Sequence, residues 1–192
     1  MSDFLALDTL VLDPRFNGPP GTANGGYASG AVGELVDGPA EVTLLSPPPL
    51  GTPLGLSYES DGRVEVTGHH GVTVARAQPI DGVDAEPPQR RPGLSTTVIE
   101  LDAGVPNRDG VVAAEVVWEV LSGSSPRPGG SVLARLAVER LDVVCVGEPV
   151  VAVGWHLASE GRKHHTASAL LSANGDVLAR ARALWITLRS PR

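Results

Sequence analysis

The amino-acid sequence predicts an α+β protein in which two β-α-β-β-β units each wrap a central helix and join in one continuous antiparallel sheet. Three observations lead to this. A Pro/Gly-rich loop runs into a helix of small residues at 17–38, nearly everything after it has the alternation and turn punctuation of strands, and short stretches of the first half recur in order in the second.

The opening run at 4–16 carries Leu5, Leu7, Leu10, Val11 and Leu12, enough for a strand that stops at Asp13-Pro14. The loop then reaches Asn24-Gly25-Gly26-Tyr27. Asn24 is a good N-cap residue, and the two glycines let a ligand or another backbone come close. Backbone N–H groups in a first helical turn lack intrahelical acceptors, so this entry suits an anion or a polarised carbonyl. A tight loop-to-helix entry with close packing and no ligand accounts for the same residues. Ala28, Ala31, Val32, Leu35 and Val36 form the apolar face, and Asp37-Gly38-Pro39 ends the helix. Strand-like runs follow at 41–45, at 54–59 after the rigid Ser46-Pro47-Pro48-Pro49 corner, and at 63–78 with a break at 68–71.

Residues 80–93 are polar, Pro-rich and aperiodic, a surface linker between a unit at 1–79 and a unit at 94–192. A strand is expected at 94–101 and a turn at 107–110. In the run 111–123, Val112, Glu115, Val116, Glu119 and Val120 have helical spacing, although the valines suit a strand equally well. Comparison of the halves favours the helix. Strand-like segments then cover 132–146, 150–159 and 164–188, the last divided by a turn at 173–176. In that comparison Glu34–Gly38 matches Glu119–Gly123, Gly51–Leu54 matches Gly147–Val150, and Val74–Ala77 matches Leu178–Ala181, at spacings of 85, 96 and 104. Only two insertions are needed, one at 124–130 and one near Gly161-Arg162. A duplicated module is the expectation.

Composition narrows the function. A net charge of −7 with Lys163 as the sole lysine argues against nucleic acid, which needs a basic stripe. No segment has the length and apolarity of a membrane span or signal peptide, so a soluble, cytoplasmic protein without membrane partners is expected. The single Cys145 lies in the apolar run LDVVCV and reads as a small hydrophobe. Trp118, Trp155 and Trp185 read as core. His69-His70 and His164-His165 are adjacent pairs whose side chains point to opposite faces of a strand, so no metal site is expected.

A β-α-β-β-β unit with a largely apolar helix must cover it with its own curved sheet, and two such sheets can pair edge to edge. With NGGY after the Pro/Gly loop, the corner PPPLGTPL and the closing block GWHLASEGRKHHTASALLSANGDVLARARALWITL, the chain resembles the thioesterase-like hotdog superfamily, as a tandem double hotdog. The resemblance implies binding of an acyl thioester of coenzyme A or acyl carrier protein between the two units, and acyl-CoA thioesterase activity if the protein is an enzyme. Coenzyme A enters as part of the substrate, and no separate cofactor is implied. It further implies amide donors at Gly25, Gly26 and Tyr27, with Gly26 holding the thioester carbonyl and Asn24 beside it, and an acid from the second helix. The family's acid position is occupied here by Ser122, which cannot act as a base, so Glu119 one turn earlier is the substitute, with Glu34 its counterpart in the first half. A glutamate on a helix surface would look the same. Arg162 and Lys163, in a hairpin, are placed to meet the phosphates of coenzyme A, and a solvated turn is the plain alternative. A thioesterase, a non-catalytic acyl-thioester or acyl-chain binding protein, and a hydratase are the competing readings. The last ranks lowest, because the loop PPGTANGG holds neither a His nor an acid. A fused pair can stand alone as a pseudo-dimer or associate further as a homo-oligomer.

Overall fold

Two helices pack on each other and on a single ten-stranded sheet in the computed structural model, which describes residues 9–88 and 111–189 together with the backbone of 95–100. In chain order the elements are β1 (Thr9–Val11), α1 (Gly25–Gly33), β2 (Ala40–Leu44), β3 (Pro53–Tyr58), β4 (Val64–Thr67), β5 (Thr73–Pro79), β6 (Ser95–Glu100), α2 (Ala114–Ser124), β7 (Ser131–Arg140), β8 (Pro149–Glu160), β9 (Lys163–Leu171) and β10 (Val177–Thr187). The strand order is β1-β3-β4-β5-β2-β7-β10-β9-β8-β6, antiparallel throughout. Each half contributes five consecutive strands in mirrored order, and β2 pairs with β7 at the centre, Val42 opposite Leu136.

Each half is therefore β-α-β-β-β-β, one strand more than expected. The break at 68–71 is a tight 3-10 turn with His70 at φ 60, which separates β4 from β5. The turn at 173–176 separates β9 from β10 in the same way. The run 111–123 is helical. Val117, Trp118 and Leu121 all become buried on one side of α2, and that burial outweighs the strand preference of the valines. The strand expected at 132–146 ends at Arg140, because Leu141 and Asp142 both donate to the Leu178 carbonyl (2.8 and 3.0 Å) and turn the chain out of the ladder.

The same device occurs in the first half, where Leu45 and Ser46 donate to the Val74 carbonyl (2.9 and 3.3 Å). Gly51 and Gly147 both take positive φ just before β3 and β8. These correspondences carry the spacings of 96 and 104. The helix entries correspond as well: Ala23 N–H donates to Pro48 O at 2.9 Å, Val112 N–H to Val144 O at 2.8 Å, and Asn24 and Ala113 are the N-caps. Their spacing is 89, not 85, so the match of Glu34 with Glu119 is out of register and Glu119 corresponds to Gly30. The two segments share Glu and Gly residues without sharing positions in the fold. The second half is longer in the β8–β9 hairpin, as expected near Gly161-Arg162, but the loop after α2 matches the loop after α1 in length, and the residues added before the corner lie in α2 and at the start of β7 instead of at 124–130.

The linker is less solvated than its composition suggests. Val83 and Ala85 are buried beside Ala137, Ala167 and Trp155, and Val83 N–H donates to Glu139 Oε2 at 2.9 Å. Residues 89–93, the turn at 107–110 and the start of the opening run lie outside the described residues. Trp118 and Trp185 are core, whereas Trp155 and Cys145 are half-buried. Among the described residues no helix is long and apolar enough to cross a membrane.

Candidate functional site

Glycine spacing sets the geometry where the helices cross. A side chain at Gly26 would meet Ser122 Oγ and lie 2.9 Å from Glu119 Cα; one at Gly30 would lie 2.5 Å from Glu115 Cα. The backbones thus touch, and the contacts Gly26 with Glu119 and Gly30 with Glu115 exchange under the spacing of 89. The start of α1 is held against the turn of α2 that carries Glu119 and Ser122, which brings three of the expected site residues together, Gly26, Glu119 and Ser122, with Gly25 next to Gly26 in the chain and turned toward the sheet.

Their hydrogen bonding departs from the expected roles. Asn24 caps α1 as its residue type predicts, but its Oδ1 accepts from Gly26 N–H at 2.8 Å and Tyr27 N–H at 3.2 Å. The Gly26 amide, expected to hold a carbonyl, is already engaged, and the Gly25 N–H has no acceptor among the described residues. A Cβ at Gly25 would point at Leu133 of β7 and Leu44 of β2, 3.2 and 3.5 Å away. Tyr27 faces elsewhere, its ring stacked on Phe16 at 4.0 Å and its hydroxyl accepting from Asp13 N–H at 3.2 Å. Removal from water raises its pKa above the usual phenol value.

Ser122 is buried and donates to the Glu119 carbonyl at 2.8 Å. The Glu119 carboxylate is half-buried, has no hydrogen-bond or ion-pair partner among the described residues, and burial pushes its pKa above the ordinary carboxylate range. An unpartnered carboxyl of raised pKa is suited to moving protons.

Glu34 does not join this group. It forms an ion pair with Arg140 at 3.2 Å, and burial raises its pKa against the pull of that guanidinium. The pair borders a cavity of ≈ 440 Å³ also lined by Val112, Val117, Trp118 and Val144, beside the start of α2 at the other end of the helix pair. Arg162 and Lys163 are exposed at the β8–β9 hairpin, where Arg162 Nη1 donates to Thr187 O at 3.2 Å.

Three features escaped the sequence. Ser29 is completely buried and its hydroxyl has no partner among the described residues. Arg140 meets Glu34 only through tertiary packing. Ser159 Oγ lies 2.8 Å from His156 Nε2 and 2.9 Å from His164 Nδ1, and His164 Nε2 lies 2.9 Å from Thr187 Oγ1. A β-bulge between His156 and Ala158 puts His156 and Ser159 on one face, which simple alternation does not foretell. Among the described residues no group of three or more His, Cys, Asp or Glu is arranged to hold a metal.

No family model and no curated protein matches the chain. Solved structures do. A provisionally assigned oleoyl thioesterase from Lactobacillus plantarum superposes with a TM-score of 0.72 at 11% identity, covering 95% of this chain and 96% of that one. The tesB protein of Mycobacterium avium subsp. paratuberculosis gives 0.64 at 13% identity and 90% coverage of each chain. A conserved protein with a hot dog fold from Alicyclobacillus acidocaldarius gives 0.55 at 12% identity, covering 90% and 89%.

Proposed function

We propose, taking the thioesterase-like hotdog fold of this chain as the premise, that it is an acyl-thioester hydrolase built as a double hotdog, with units at 1–79 and 94–192 and the active site where α1 enters against α2. The observation that carries the proposal is the meeting of a helix start whose Gly25 N–H lacks an acceptor with a half-buried Glu119 on the facing helix whose carboxylate lacks a partner, both among the described residues.

In this reading the thioester carbonyl oxygen accepts from the Gly25 N–H, aided by the positive end of α1. Glu119 takes a proton from water, the water oxygen bonds to the carbonyl carbon, and collapse of the tetrahedral intermediate breaks the C–S bond. The thiolate leaves and takes up a proton, giving a free acid and a thiol. Gly26 contributes by letting the helices touch, and its amide becomes a second donor only if Asn24 swings away. Arg162 and Lys163 are proposed to meet the phosphates of coenzyme A or of an acyl-carrier pantetheine arm.

A second reading is binding of an acyl thioester or acyl chain without hydrolysis, favoured by Ser122 at the family's acid position and by the closed Gly26 amide. Hydrolysis of acyl-CoA and acyl-carrier thioesters over a range of chain lengths, by wild type and Glu119→Gln, separates the two. The hydrolase reading expects kcat/KM to fall by about 10²–10⁴-fold in the variant. Unchanged turnover removes Glu119 as the base, and saturable binding with no turnover by wild type establishes the second reading.

A further inference from the structure

Ser29 is 0% exposed, and its hydroxyl is the one buried side-chain polar atom among the described residues with no hydrogen-bond partner. A buried hydroxyl left unpaired is costly, and a helical serine has an easy remedy in the carbonyl one turn back, which Ser29 does not use. Its direction follows from helix geometry. Gly26, Gly30 and Gly33 face α2, and Gly25 faces Leu44 and Leu133 on the sheet. Ser29 is three residues from Gly26 and four from Gly25, so its side chain enters the crease where α1, α2 and the sheet meet.

The counterpart of Ser29 under the spacing of 89 is Trp118, whose indole is itself buried and fills the corresponding place on α2. Trp118 packs its ring over Gly33 of α1, whereas α1 carries a small hydroxyl at the matching position. Gly25, whose amide lacks an acceptor among the described residues, lies one turn of about 5.4 Å before it on nearly the same face of the helix.

We infer that Ser29 is a specificity-determining residue: its hydroxyl hydrogen-bonds an oxygen carried by the acyl group, a hydroxyl or keto oxygen a few bonds from the thioester carbon, so that oxygenated acyl thioesters are preferred over saturated ones. The inference rests on the acyl-thioester reading of the site. A saturated chain leaves the serine unpaired, whereas an oxygenated chain satisfies it, which is the situation in which a polar contact discriminates strongly.

The test uses hexanoyl-CoA against 3-hydroxyhexanoyl-CoA and 3-oxohexanoyl-CoA, together with the matching non-hydrolysable thioethers, on wild type and Ser29→Ala. The expected result is kcat/KM, or thioether affinity, at least about tenfold higher for an oxygenated member in wild type, with the ratio collapsing toward one in S29A. The ligand-free S29A protein is expected to melt no lower than wild type, since an unpaired hydroxyl is removed. Equal handling of all three acyl groups by wild type overturns the inference. So does a fall in Tm of more than about 2 °C in S29A, which would mark the hydroxyl as a satisfied structural group. Discriminating thioether binding without hydrolysis keeps this inference and defeats only the hydrolase. Hydrolysis without discrimination does the reverse, and absence of binding defeats both.

Discussion

Gly26 and Gly30 occupy the closest approach of the two helices, where an added methyl meets backbone as well as side chain. Gly26→Ala and Gly30→Ala are each expected to lower unfolding free energy in denaturant by about 1–3 kcal/mol, as overpacking does. Gly123 lies in α2 with open space around it, so Gly123→Ala is expected to stabilise by about 0.5–1 kcal/mol through helix propensity alone. Glu119 adds a pH dependence. Its pKa is raised in the folded state by burial, so the folded state holds its proton more tightly than the unfolded chain. Stability from this group is complete below the ordinary carboxylate pKa and declines as pH rises through the raised value. Glu119→Gln should accordingly melt higher than wild type at neutral pH, with the difference vanishing toward pH 4; a difference constant with pH would show that Glu119 does not titrate in this way. If Glu119 is the base, kcat/KM should rise with pH through the same raised value.

At the scale of elements, the segment following β5 behaves as a strap. Glu139 is largely buried and holds it, accepting from Val83 N–H and from Arg180 Nε at 2.9 Å each, while Arg180 also pairs with Glu86. Burial opposes the charged form of Glu139, but the Val83 amide and the Arg180 guanidinium outweigh it and hold the pKa low. This contribution is present above the ordinary carboxylate pKa and is lost as pH falls through the depressed value. Glu139→Gln should destabilise by about 1–3 kcal/mol at pH 7, less in acid, and speed amide exchange at Val83. Unaltered exchange there would mean that the strap is held by Val83 and Ala85 alone.

For the whole molecule, the joint between β2 and β7 is decisive. Val42 and Leu136 are opposite each other and completely buried, so the two halves share one core and one sheet. Leu136→Ala is expected to cost about 2–5 kcal/mol, and wild type to unfold in a single calorimetric transition. Two separated transitions would show that the halves fold independently.

The sequence alone determined α1, the loop entering it with Asn24 as its cap, the strand character of most of the rest, the longer second hairpin and the recurrence of the β2-to-β3 corner as β7-to-β8. These are local matters of turn residues, apolar period and order along the chain. Only the tertiary structure decided that Glu119 corresponds to Gly30 and not to Glu34, that Asn24 closes the Gly26 amide, and that the Gly25 amide and the buried Ser29 hydroxyl lack partners among the described residues. Each depends on which faces two helices turn toward each other and toward a sheet, and such contacts join residues far apart in the chain, where spacing along the sequence carries no angular information.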